Sequence, residues 1–260
     1  MEQTGCLSAR QREQLIRQYL GRTVDVMIDR PIGYVHHVKG ITLHYTVNYG
    51  YLPDVLGGDG EEQDVYVLGV REPLQRFRGR IIGAIRRKDD DEDKLVAAPE
   101  GVEFHQAQIA EAVHFVEKYF DSTVDSLIRR SCGVIPYRRT EKGPEFLLAL
   151  QTNKAWTFPK GHMEAFETEL DTAVRELGEE TGLTARLRED FRDMVEYRMS
   201  NGCFKQVVLF LGEAEGEIRV NRKELKECRW VTATEAVQLL HKDYDRVLDR
   251  VCRYLEGSHA

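Results

Sequence analysis

The chain has 260 residues, enough for one large domain or two ordinary ones. Its 42% hydrophobic and 31% charged content describes a globular protein, and its net charge of −7 argues against broad binding to nucleic acid or an anionic membrane. The five cysteines (Cys6, Cys132, Cys203, Cys228 and Cys252) are scattered and form no CxxC, so we expect reduced thiols and a cytoplasmic location, not a disulfide frame or a zinc site.

The chain opens with Arg10, Arg12 and Glu13 and no apolar core segment, so we expect no signal peptide. Residues 7–20 read as a short amphipathic helix with Leu7, Leu15, Ile16, Tyr19 and Leu20 available to pack. Val24 to Ile28 is an apolar strand ended by Asp29-Arg30-Pro31. Ile41 to Leu52 is rich in β-branched and aromatic residues and reads as another strand. Pro53, Gly57, Gly58 and Gly60 then break the chain. Val65–Val70 and Ile81–Ile85 add two strands, and residues 105–120 form an amphipathic helix through Ile109, Val113, Val116 and Phe120. Many short strands separated by turn signals predict a β-barrel or sandwich.

Acidic loops decorate these strands. Asp59, Glu61, Glu62 and Asp64 form one, and Asp89 to Asp93 form another, followed by Lys94. Such carboxylates either make solvated turns or converge on divalent cations. Asn48 to Tyr51 (NYGY), Asp59 to Val70 (DGEEQDVYVLGV) and Asp89 to Pro99 (DDDEDKLVAAP) are similar, in that order and spacing, to soluble family I inorganic pyrophosphatase. The resemblance covers residues 22–121 and implies a five-stranded, OB-like barrel holding Mg²⁺. It implies Asp59, Asp64, Asp89 and Asp93 as metal ligands, with Glu92 or Asp91 as alternatives to Asp93. It implies Glu61 as an aid in activating water, and Tyr49, Lys94 and Tyr119 as phosphate contacts. The chain departs from the family pattern at its basic residues. Val26 or Met27 stands where a lysine is expected, His37 lies near an expected arginine, and Phe120 replaces a lysine. Arg30, Lys39, Arg86 and Arg87 are available as substitutes.

Residues 121–130 (DSTVDSLIRR) read as a linker, which divides the chain into domains at 1–126 and 127–260. In the second domain Ser131–Arg139 is a strand and Arg139–Pro144 a charged turn. Glu145–Gln151 is a nearly continuous apolar run and so a buried strand. From Gly161 to Leu183 the sequence is GHMEAFETELDTAVRELGEETGL. Leu170, Ala173, Val174 and Leu177 fall at helical spacing and make one apolar face. Glu176, Glu179 and Glu180 cluster on another face, and Gly182 suits a left-handed cap. The acidic face is either solvated or gathered around a hard divalent cation. Beyond it, Phe191–Met199 and Lys205–Ala214 are strands, and Glu227–Val231 contains Trp230. Thr234 can cap a helix carrying Ala236, Val237 and Leu240, and Tyr244–Leu255 is a last amphipathic helix. No run approaches the ~18 apolar residues of a membrane span.

Gly161, Glu167, Arg175-Glu176-Leu177, Glu179-Glu180 and Gly182-Leu183 stand at the spacing of the Nudix box, which they resemble at every defined position. The resemblance implies an α/β/α sandwich with a mixed sheet. It implies hydrolysis of a nucleoside diphosphate linked to another moiety, dependent on Mg²⁺ or Mn²⁺. Glu176, Glu179 and Glu180 would hold the metal, and Arg175 would orient Glu167 from behind. SCGVIPYRR at 131–139, WTFPKGHME at 156–164, Tyr197 and Lys205 are similar to the asymmetrical diadenosine tetraphosphate hydrolases. That likeness implies phosphate contacts at Lys160 and Lys205 and adenine stacking on Tyr197. It also implies a further ligand at Glu164, and a base or ligand at Glu224. We expect a nucleoside polyphosphate substrate and no nucleic-acid or membrane partner. A homo-oligomer is compatible with the sequence.

Overall fold

The computed structural model describes residues 7–38 and 40–257; Cys6 and Lys39 lie outside them. The fold separates into two units, the first ending at Ile128 and the second beginning at Arg129.

In the first unit α1 (Ala9–Tyr19) starts at a Ser8 cap that exchanges hydrogen bonds with Gln11 and buries Ile16. The strands are β1 (Thr23–Arg30), β2 (Val35–Val38), β3 (Ile41–His44), β4 (Asn48–Leu56), β5 (Glu62–Val67), β6 (Arg76–Arg87) and β7 (Lys94–Ala98). After them come α2 (Gln106–Glu117) and β8 (Ser122–Ser126). β1, β4, β5, β7 and β6 pair in that order, and β6 returns to β1, so five strands close a barrel. Among its strands taken in chain order, the ring runs first, second, third, fifth, fourth, as in OB-type barrels. Along β5, Val65 and Val67 join one core cluster with Ile16 of α1, and Tyr66 and Leu68 join another with Ile109 and Val113 of α2. The chain is therefore covered on both faces from Val65 to Leu68, which explains the apolar run there.

Three sequence expectations change here. The Ile41–Leu52 segment splits, because β3 leaves the barrel and forms a hairpin with β2. Pro53 does not end its strand. β4 runs on to Leu56 through a register shift against β5, where Asp54 takes φ 63°, and such a bulge tolerates the missing proline N–H. Residues 121–130 are not a free linker. β8 pairs antiparallel with β6, and its polar sequence suits the edge position it takes.

The second unit contains β9 (Ile128–Thr140), β10 (Gly143–Gln151), β11 (Trp156–Thr157), β12 (Lys160–His162) and α3 (Glu169–Thr181). It continues with β13 (Thr184–Arg198), β14 (Phe204–Glu215), β15 (Leu225–Thr232), α4 (Ala233–Leu239) and α5 (Asp245–Gly257). The mixed sheet is ordered β11-β10-β9-β14-β13, with β12 added to β9 and β15 to β10. α3 covers one face through Ala173 and Leu177, packed on Cys132, Val134, Leu147 and Val208. α4 and α5 cover the other through Ala236, Val247, Leu248, Val251 and Leu255. This is an α/β/α sandwich.

Two local expectations are corrected. Leu170 and Val174 are exposed, because the buried face of α3 centres on Ala173 and Glu180 and these two residues lie toward and beyond its edge. The cap of α4 is Thr232, which closes a capping box with Glu235, and Thr234 sits inside the first turn. No helix among the described residues is long and apolar enough to cross a membrane.

Candidate active site

The site is built around α3. Thr168 caps its start in a box with Asp171, and Gly182, at φ 73°, ends it in the left-handed conformation. The buried face of α3 carries Thr172, Ala173, Glu176, Leu177, Glu180 and Thr181. Two of the glutamates are thus turned inward, not onto a solvated face. Burial of a carboxylate without a partner is costly, so their placement needs compensation.

A third carboxylate arrives from the segment before β15. The Arg219 N–H donates to the Thr181 carbonyl at 2.6 Å and the Asn221 N–H to the Glu180 carbonyl at 3.0 Å. This segment is therefore fastened to the end of α3. Glu224 follows in the turn begun by Asn221, whose side-chain amide donates to it at 3.1 Å. One carboxylate oxygen from each of Glu176, Glu180 and Glu224 lies within 4.8 Å of the others. Among the described residues no other group of three or more His, Cys, Asp or Glu side chains comes together in this way.

Arg175 organises the outer side. It forks onto Glu167 with contacts of 2.6 and 2.9 Å, and its Nη1 reaches Glu176 at 2.8 Å and Glu179 at 3.1 Å. The guanidinium holds the Glu167 carboxyl down at about 2, helped by the Thr172 hydroxyl. Glu167 also accepts the Glu164 N–H at 3.1 Å, which shapes the loop entering α3. Burial raises Glu176, against the pull of Arg175. Burial raises Glu180 to about 7, against the pull of Lys160, whose backbone N–H donates to it at 3.0 Å. Crowded, part-buried carboxylates with raised pKa values and oxygen donors only are the donor set that a hard divalent cation fits. Glu179 and Glu164 are exposed beside this group and lie outside it.

Two lysines, Lys160 and Lys205, border the cluster. Lys205 is 8% exposed, and its ammonium donates to Ser131 Oγ at 2.6 Å and meets His162 Nε2 at 3.2 Å. Burial pushes Lys205 down to about 8 and His162 down to about 4. His162 is therefore neutral near pH 7, and in its Nδ1–H tautomer its Nε2 accepts a hydrogen bond from the ammonium. Ser131 and His162 are register partners on β9 and β12, and Tyr197 is the register partner of Lys205 on β13 and β14. The four residues thus lie on neighbouring strands. Burial also lowers Lys160. Ser131 and His162 lie within the sequence motifs at 131–139 and 156–164, but nothing in their spacing marks them as partners of Lys205.

In the first unit, the Tyr49 hydroxyl is hydrogen-bonded to Asp64, and Lys94 pairs with Asp64 and with Glu92, the latter at 2.5 Å. Asp59 accepts the Glu61 N–H at 3.1 Å. Asp89 instead accepts the Asp121 N–H at 3.1 Å. Asp93 turns away, accepting the Arg87 N–H at 3.0 Å and meeting Arg12 at 3.5 Å. Glu92, not Asp93, therefore stands beside Asp64 and Lys94. Tyr119 is exposed, with the Lys118 ammonium 5.1 Å from its ring centre. Asp59, Asp64, Asp89 and Asp93 do not form a converged carboxylate group here.

The sandwich, the inward glutamates and the arginine behind them define a hydrolase of phosphoanhydride bonds. A model described as the NUDIX domain matches residues 127–251, and one described as inorganic pyrophosphatase matches residues 24–125. The asymmetrical bis(5'-nucleosyl)-tetraphosphatase of Sus scrofa is 36% identical over 141 residues, covering 48% of this chain and 95% of the relative. The Mus musculus enzyme of the same name is 38% identical over 125 residues, covering 42% of this chain and 83% of its own. A crystal structure of a C. elegans Ap4A hydrolase binary complex aligns at 25% identity and TM-score 0.47, covering 50% of this chain and 98% of that one. The chain belongs to the Nudix hydrolase family through its second domain, with an inorganic pyrophosphatase-like domain before it.

Proposed function

We propose that the second domain hydrolyses dinucleoside tetraphosphates, diadenosine tetraphosphate first among them, to ATP and AMP, with Mg²⁺ or Mn²⁺. The observation that carries this reading is the convergence of Glu176, Glu180 and Glu224, with Lys160 and Lys205 close to them. The printed names of the relatives supply the nucleotide.

Glu176 and Glu180 would hold the cation, with Glu179 and Glu164 flanking and Glu224 as the third ligand or the base. Bound there, a divalent cation polarises a phosphate oxygen and lowers the pKa of water. Lys205, anchored by Ser131 and His162, offers its ammonium to the phosphate chain. Tyr197 offers a ring to adenine, a contact worth about 1–3 kcal/mol per base. A carboxylate of the cluster takes the proton of the attacking water. Arg175 keeps Glu167 and Glu176 in place. Incubation with Mg²⁺ and diadenosine tetraphosphate, followed by separation of the nucleotides, tests this; no ATP plus AMP after long incubation refutes it.

For the first domain, the arrangement of Tyr49, Asp64, Glu92 and Lys94 supports binding of an inorganic diphosphate with its divalent cation. Asp59, Glu61 and Asp89 would complete the carboxylate side. The fusion favours a second reading, in which the Nudix domain releases pyrophosphate from nucleoside triphosphates and the first domain removes it. A panel of triphosphates assayed for pyrophosphate and phosphate separates the two. Tight diphosphate binding without turnover would instead make the first domain a binding module. Cys132, Cys228 and Cys252 carry free thiols, which supports a cytoplasmic location.

A further inference from the structure

We infer that Arg30 is the side chain with which the first domain grips the phosphate oxygens of a diphosphate–divalent cation complex. This rests on the diphosphate reading of that domain. The sequence offered Arg30, Lys39, Arg86 and Arg87 as replacements for basic residues absent from their expected places. The structure separates them. Arg86 is committed to Glu13 and Asp125. Arg87 is 5% exposed, bonded to Glu117, Asp90 and Glu92, and stacked 3.5 Å from the centre of the Phe120 ring. Arg87 cannot turn to a ligand without breaking a buried charge pair, and Arg86 would have to give up two part-exposed ion pairs. Lys39 lies outside the described residues.

Arg30 is arranged differently. Its Nη1 donates to the Tyr45 hydroxyl at 2.9 Å, and Asp29 is no nearer than 3.9 Å. Its other donors have no hydrogen-bond partner among the described residues. The side chain is 32% exposed, so water or a ligand reaches it. The guanidinium lies 5.1 Å from the centre of the Tyr49 ring and 5.8 Å from that of Tyr45. Lys94 stands 5.8 Å from the centre of the same Tyr49 ring. Two cations thus share one buried tyrosine whose hydroxyl is held by Asp64.

Stacking on aromatic faces costs a guanidinium little hydration and fixes the plane of its fork, which suits two oxygens of one phosphate. Arg30, Lys94 and the Arg87 that shares Glu92 stand against Asp29, Asp64, Glu92, Asp90 and Glu117, so carboxylates outnumber cations when all are ionised. A bare anion is disfavoured there. An anion that brings a divalent cation is not, which favours a metal–diphosphate complex over free phosphate.

The test uses the full-length chain carrying Glu176→Gln and Glu180→Gln, which silences the second domain. Binding of imidodiphosphate with Mg²⁺ is measured by calorimetry for this parent and for added Arg30→Gln, Arg30→Lys and Tyr45→Phe. Arg30→Gln is expected to weaken binding by about tenfold or more, with Arg30→Lys recovering part of the loss. Tyr45→Phe, which frees the guanidinium, is expected to weaken binding less. Unchanged thermal unfolding without ligand shows that the variants fold. Unchanged binding in folded Arg30→Gln and Tyr45→Phe overturns the role of Arg30 and leaves the diphosphate reading standing. Absence of binding by the parent overturns both.

Discussion

Gly161 and Glu176 compete for one volume: a Cβ on Gly161 would lie 2.0 Å from the carboxylate carbon of Glu176. The glutamate occupies the space that the absent side chain leaves, close against the backbone of β12. Gly161→Ala is therefore expected to displace Glu176 and lower kcat/KM by about 100-fold, because a shift of about 1 Å in a catalytic constellation costs that much. Steady-state kinetics on diadenosine tetraphosphate, with a thermal melt to check folding, measures it.

Arg175 holds Glu167 with two parallel contacts and still reaches Glu176 and Glu179. A lysine keeps the charge and loses the fork. Arg175→Lys is expected to weaken activity or apparent metal affinity by about 10–100-fold. A Mg²⁺ titration of the rate separates the two effects.

The pH dependence has two limbs of opposite origin. Glu180, raised to about 7 by burial, is increasingly protonated as pH falls through that value, and the proton competes with any cation for the same oxygens. Apparent Mg²⁺ affinity is expected to fall on the acid side and to recover as pH rises. Lys205, lowered to about 8 by burial, loses its charge as pH rises through that value. The rate is expected to decline there, and Ser131→Ala, which removes a partner of the ammonium, is expected to move this limb to lower pH. Profiles of kcat/KM at saturating Mg²⁺ for the parent and Ser131→Ala check it.

The pairing of Glu167 with Arg175 has a stability consequence. The Glu167 carboxyl is depressed to about 2 in the folded protein from an ordinary value of 4.5. The folded state therefore binds this proton less readily than the unfolded chain. Stability from this pair is fully present above about 4.5 and is lost as pH falls toward 2. Glu167→Gln is expected to flatten that part of the acid-unfolding curve followed by circular dichroism.

The two domains are expected to fail separately. Glu180→Gln should abolish nucleotide cleavage and leave any pyrophosphate turnover intact, and Asp64→Asn should do the reverse. Parallel assays of both substrates on both variants give the answer; loss of both activities in either variant contradicts it.

Local patterns carried much of this into the sequence. The three glutamates sit within five residues, so helical spacing alone groups them, and Gly182 needs only its freedom at positive φ. The apolar stripe of α5 is buried as its periodicity implies. What escaped was set by distant backbone. Glu224 was named only through the family resemblance, because nothing in its own charged turn shows the bonds from Arg219 and Asn221 that fasten that turn to α3. Ser131 and His162 gain meaning only when β9, β12 and β14 are side by side. Asp93 and Glu92 are neighbours in a run of acids just before β7, and only the folded backbone shows that Glu92 meets Lys94 while Asp93 meets the Arg87 N–H. The polar β8 looked like a connection because an edge strand has no apolar periodicity to betray it.

The fastening of Glu224 has an evolutionary side. Its two anchors are main-chain N–H groups of Arg219 and Asn221, and any amino acid except proline keeps such a donor. Asn221 adds a side-chain amide that holds Glu224 itself. Substitution is therefore tolerable at the first anchor and constrained at the second, where the carboxylate would lose its holder.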